Sequence, residues 1–167
     1  MTMTSLAHRE RTLPRAAMLL LGLALSLCAP FAVAQNNLGE LLDGGAKQLS
    51  AEEFKEQVVQ RVIVGPTATG GNLEIMYASN GVIQGRGTAQ FATGNTQATI
   101  TGDWKIDDSG RVCTSTWIGN AGGVGGPVLG VALPSRCQVW FKYKEQYFLS
   151  DSDSDRSAKV LRRTVKQ

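Results

Sequence analysis

Two cysteines, a scatter of carboxylates and one run of alternating acids are the residues here whose types and spacing suit chemistry. Cys113 and Cys137 lie in strand-like sequence on either side of a glycine-rich segment. In an oxidising compartment an even pair of this kind is expected to form a disulfide. A reactive thiol needs an activating neighbour, and no C-x-x-C pair supplies one. Glu74, Asp103, Asp107, Asp108 and Glu145 are candidates for the paired acids of a glycoside hydrolase, which need two carboxyl groups facing each other across a cleft. Asp103 falls on the polar side of an alternating stretch and Asp107-Asp108 in a turn, so solvated acids are the expectation. Asp151-Ser152-Asp153-Ser154-Asp155 begins like a calcium loop, but Arg156 and Arg162 stand where such a loop requires Gly and Glu. An acidic turn is expected, and no metal site is assigned.

The single histidine, His8, belongs to a segment expected to be removed. Arg9, Arg11 and Arg15 precede an apolar run over 16–27, then Pro30, then Ala32-Val33-Ala34. That is the order of a secretory signal with cleavage before Gln35. The run is shorter than the roughly 20 apolar residues that span a bilayer, so no stable membrane span is expected after cleavage. Removing 34 of 167 residues leaves 133, a single-domain length. It also removes three of 17 basic and one of 14 acidic residues, leaving 14 against 13 and a net charge of +1 instead of +3. Such a balance gives no general attraction to nucleic acid. A mature chain without histidine cannot build a Ser-His-Asp or Cys-His unit, nor a zinc site that uses histidine. The sequence therefore reads as an exported, non-enzymatic protein without a cofactor, periplasmic or, alternatively, secreted.

The elements that must position these residues follow from periodicity. Residues 35–48 read as a flexible lead-in with at most one helical turn at 38–42. Ser50 and Glu53 form a capping box, Leu49 and Phe54 sit as a hydrophobic staple, and Phe54, Val58, Val59 and Val62 recur at helical spacing. This predicts a helix from Ala51 to about Arg61, ended by Gly65-Pro66, docked on a sheet or across a barrel mouth. From Gly70 the period becomes two: Leu73, Ile75 and Tyr77, an Asn80-Gly81 hairpin turn, then 82–88 with Gly85 and Gly87 on one face. Paired glycines within a strand mark bending or close backbone approach. Ala98, Ile100, Gly102, Trp104 and Ile106 form the clearest alternation. Strands over 111–118, 137–144, 146–150 and 158–166 complete about seven, an antiparallel meander. The expected fold is mainly β, a curled sheet or small barrel with one N-terminal amphipathic helix, occupying 49–167. Full closure removes exposed strand edges.

Three features bear on function. Tyr77, Trp104, Phe141 and Tyr143 are expected to face the barrel interior, with Arg86 and Trp117 as further expected ligand contacts. The glycine-rich segment 119–134 is expected as an apolar loop at the rim, where Val124, Val128, Leu129, Val131 and Leu133 would form a patch able to meet a partner. Asn80-Gly81, Gly102-Asp103-Trp104-Lys105-Ile106, Gly110-Arg111-Val112-Cys113 and Cys137-Gln138-Val139-Trp140 together resemble a family of small exported proteobacterial proteins known as a domain of unknown function. The resemblance spans about 50–150 and implies an exported, disulfide-bearing β fold with no established activity; the long glycine-rich insertion departs from its compact form. Three functions fit these features, in descending order. They are binding of a small apolar or amphiphilic envelope ligand, docking of an envelope protein through 119–134, and carboxylate-based hydrolysis.

Overall fold

Strands with one apolar face must hide it, and a long antiparallel meander can do so by curling until its first and last strands meet. The computed structural model describes residues 36–67, 70–91, 94–120 and 130–167; the expected signal sequence lies outside them. In chain order the elements are α1 (Leu38–Asp43), β1 (Lys47–Gln48), α2 (Ala51–Gln57), β2 (Val62–Pro66) and β3 (Asn72–Tyr77). Then come β4 (Val82–Phe91), β5 (Gly94–Ile106), β6 (Val112–Asn120), β7 (Gly130–Ala132), β8 (Arg136–Tyr143), β9 (Gln146–Ser150) and β10 (Val160–Val165). Every pairing is antiparallel, in the order β8-β9-β10-β2-β3-β4-β5-β6, and β6 pairs back onto β8 to close an eight-stranded barrel.

The closing seam is short. It comprises three registered pairs, Val112 with Gln138, Cys113 with Cys137 and Thr114 with Arg136. Beyond it the two strands diverge, and each free edge takes a different partner: β7 lies along β6 from Trp117 to Gly119, and β1 along β8 at Phe141 and Lys142. The expected disulfide joins Cys113 to Cys137 and so staples the seam at its middle pair.

Period two assigns the faces. Leu73, Ile75 and Tyr77 point inward, as do Ile83, Ala98, Ile100, Val112, Trp140, Leu149 and Leu161. Gly85, registered opposite Ile75, permits a close approach of β3 to β4, because a Cβ there would run into Glu74's carbonyl oxygen and Ile75's side chain. Helix α2 closes one end. Its Ser50–Glu53 capping box is formed in both directions, and Phe54 is buried at the centre of an aromatic floor. Its ring meets Tyr77 at 5.5 Å, Trp104 at 5.5 Å and Trp140 at 5.1 Å, all edge-on. Gln57 ties the helix to the wall by accepting from Lys142 Nζ and the Tyr147 hydroxyl.

The structure corrects three expectations. Helix α2 ends at Gln57, not near Arg61, and Val62–Pro66 is strand β2, the eighth stave. Three β-branched residues in succession favour a pleated strand over a helix, and Gln60 takes a left-handed conformation at the junction. Within the expected lead-in 35–48, the described residues 36–48 are not free. Leu38 and Leu41 are fully buried with Phe141 and Phe148 in a second core on the outside of the barrel. Finally, the segment 119–134 is not all loop, since 119–120 end β6 and Gly130–Ala132 forms β7.

The β5–β6 turn carries an acid dependence. Asp107 accepts from the backbone amides of Ser109 and Arg111, the Ser109 hydroxyl and Arg111 Nε. Those bonds, Ser109's hydroxyl foremost, hold its carboxyl down at about 2. A depressed folded pKa contributes stability that is complete above the ordinary aspartate range, near pH ~3.9, and fades as pH falls toward ~2. Asp107→Asn should flatten the unfolding midpoint against pH over that window. A variant whose acid denaturation profile overlays the parent's would remove Asp107 from the account.

Candidate functional site

A barrel plugged at one end by α2 leaves its interior to be filled by side chains or by a ligand. Here filling is incomplete. A cavity of about 360 Å³ lies above the aromatic floor, walled by Leu73, Ile75, Ile83, Ile100, Ile118 and Leu161. Gly87 and Ala98, registered opposite each other on β4 and β5, contribute little side-chain volume to this wall. Leu133, Pro134 and Arg136 line it too and are exposed, so the cavity reaches the surface beside the seam. Thr88, Thr114, Thr116 and Gln138 add hydroxyl and amide groups to an otherwise apolar lining.

Among the described residues, one basic side chain is buried in this wall. Arg163 is 5% exposed, on the inner face of β10 between Leu161 and Val165. Its Nη1 donates to the carbonyl oxygens of Pro66, at 2.7 Å, and of Arg162, at 2.8 Å. Its Nε is buried with no acceptor among the described residues. Among the described residues no carboxylate forms an ion pair with it. Gly65 makes room for it, because a Cβ at that position would lie 2.9 Å from Nη1 and 3.0 Å from Cδ. Tyr77 shares the cavity and stands within electrostatic reach. Burial pushes its phenol up to about 12, with the Arg163 charge pulling the other way. Burial likewise lowers the guanidinium, opposed by Tyr77.

Of the residues singled out from sequence, Tyr77 lines the cavity and Trp104 lies in the floor beside it, its indole N–H donating to Ala78's carbonyl oxygen. The others lie elsewhere. Phe141 and Tyr143 face outward, in or against the core beneath α1, because on β8 the inward positions are Gln138 and Trp140. Arg86 sits on the outer face of β4 in an ion pair with Glu74, which also binds Lys166, within a shallow outer groove. Trp117 is 46% exposed on the outside of β6, its indole lying over Gly130. Val131 is 65% exposed on β7, and Leu133 is 42% exposed at the cavity mouth. Val124, Val128 and Leu129 lie outside the described residues.

Among the described residues no carboxylate lines the cavity. Glu74 faces the outer groove and Asp107 is engaged within its turn, so no pair of acids converges in a cleft among the described residues, as hydrolysis requires. Asp107 also approaches the two cysteines, but their sulfurs are joined to each other and offer no thiolate to a metal. No helix among the described residues is long and apolar enough to cross a membrane.

Sequence reasoning missed Arg163, although a signal was present. Arg162 and Arg163 are adjacent in a strand, and in a closed barrel one of two neighbours must point inward. The alternation of Leu161 and Val165 selects Arg163. Compared with family models, with curated proteins and with solved structures, the chain finds no match.

Proposed function

We propose that this protein is an exported binding protein that holds a small apolar or amphiphilic ligand of the cell envelope inside its barrel. The observation that carries the reading is the cavity of about 360 Å³, within the size range of small-molecule sites and lined as they are, by apolar walls with a few polar groups. A protein needing its barrel for stability alone would gain by filling such a space, since each unfilled methyl-sized void costs about 1 kcal/mol.

A neutral fluorescent probe, N-phenylnaphthylamine, tests the cavity directly. Titration should give saturable enhancement at one probe per barrel. Ile118→Trp, placing a larger ring in the cavity wall, should weaken that binding about ten-fold or more while the protein stays folded. Enhancement that does not saturate, or is unchanged in Ile118→Trp, would remove the reading. Native mass spectrometry of protein recovered from the periplasm adds the natural occupant as a mass lost on denaturation.

Docking of an envelope partner through 119–134 is a second reading, supported by Trp117, Val131 and Leu133, exposed apolar side chains on or beside β6 and β7. Deleting 121–129 should abolish partner capture and spare probe binding if that reading holds.

A further inference from the structure

We propose that the cavity takes an amphiphile with an anionic carboxylate head, which Arg163 recognises. The inference rests on the ligand-binding reading above and adds the chemical class. A buried cation is ordinarily paired, because isolating a charge from water is unfavourable without a partner of opposite sign. Arg163 has carbonyl oxygens as its partners on Nη1, an Nε with no acceptor, and no carboxylate in ion-pair range among the described residues. It nonetheless lines the cavity, in a wall otherwise dominated by aliphatic side chains.

The geometry holds the guanidinium in place by its backbone contacts. Gly65 clears its path, Pro66's carbonyl oxygen fixes one nitrogen, and Tyr77 lines the same cavity with a phenolic hydroxyl that can donate to an anion. An incoming carboxylate would bring the missing negative charge and accept charge-assisted hydrogen bonds from the part of the guanidinium that lines the cavity. Its hydrocarbon tail would lie against Leu73, Ile75, Ile100 and Leu161. A cationic amphiphile would be repelled, and a neutral one would gain the apolar contacts alone.

Displacement of N-phenylnaphthylamine by decanoate, decanol and decylamine from the intact mature protein is the test. Decanoate should bind roughly ten- to a hundred-fold tighter than decanol, the range expected for hydrogen bonds to a charged partner, and decylamine weakest. Arg163→Met should erase the decanoate advantage and leave decanol within about two-fold, while Arg163→Lys keeps part of it. Tyr77→Phe should lower decanoate affinity more than decanol affinity. Equal affinities of decanoate and decanol for the wild-type protein would overturn the proposal even if Arg163→Met does not fold. A folded Arg163→Met that still prefers decanoate would do the same, and would mark Arg163 as a brace for the Pro66 and Arg162 carbonyls. If the probe itself never binds saturably, the ligand-binding reading falls first, and with it this one.

Discussion

Replacing Phe54 by alanine is expected to cost about 3–5 kcal/mol, the range for emptying a fully buried aromatic site. For a domain of this size that corresponds to a fall in melting temperature of about 10–15 °C. The position warrants the upper part of the range. Phe54 is buried beneath three edge-on aromatic partners, Tyr77, Trp104 and Trp140, and each such pair adds roughly 0.5–1.5 kcal/mol beyond the area it hides. The ring is also the stopper of the barrel, carried on a helix of two turns that has little stability of its own. Its loss should let water reach the floor, and Tyr77, held near 12 by burial, should then titrate closer to the ordinary tyrosine range near ~10. Thermal melts followed by near-ultraviolet dichroism and a phenolate absorbance titration measure the two effects. A variant that loses under ~1 kcal/mol with Tyr77 unmoved would mean that α2 is not the floor of the barrel.

That floor shows where sequence and structure agree and why. The Ser50–Glu53 capping box is local chemistry within four residues, so it can be read from sequence and is formed. The alternation from Ala98 to Ile106 is legible because one face of β5 is wet and the other faces the interior. Strand β8 is harder, since both of its faces are buried. Trp140 belongs to the interior core and Phe141 to the outer core under α1, and alternation cannot say which side is inside when both are apolar. That is why Phe141 and Tyr143 were expected in the barrel and lie outside it. Leu38 and Leu41 were missed for a related reason. One helical turn is too short to show a period, and what orders it is the outer surface of β8 and β9, a tertiary partner. Strand β2 was hidden because Val58, Val59 and Val62 satisfy a helical spacing by coincidence across a chain reversal at Gln60. Missing β2 also concealed the site. Gly65 and Pro66 look like a helix terminator, and their role beside Arg163 appears once β2 and β10 are neighbours.

Severing the Cys113–Cys137 bond should have the second large effect, and it joins stability to the cavity. The closed loop of about 25 residues is worth roughly 3.5 kcal/mol in the chain-entropy account, a fall of about 10 °C in melting temperature. Its location makes the consequence specific. β6 and β8 meet through three registered pairs, and the disulfide is the middle one. Most neighbouring staves share longer ladders, ten pairs between β4 and β5 and nine between β5 and β6, while β10 and β2 share two, so one of the barrel's two short joints carries its covalent link. Thr114, Arg136 and Gln138, the residues flanking the staple, also line the cavity. A Cys113→Ala, Cys137→Ala protein should therefore show faster amide exchange at 112–114 and 136–138 before other strands loosen, and weaker probe binding in step with it. Exchange that rises evenly around the barrel would instead assign the bond a global role in the unfolded chain alone. Unchanged probe affinity in a protein with an opened seam would separate the cavity from the joint beside it.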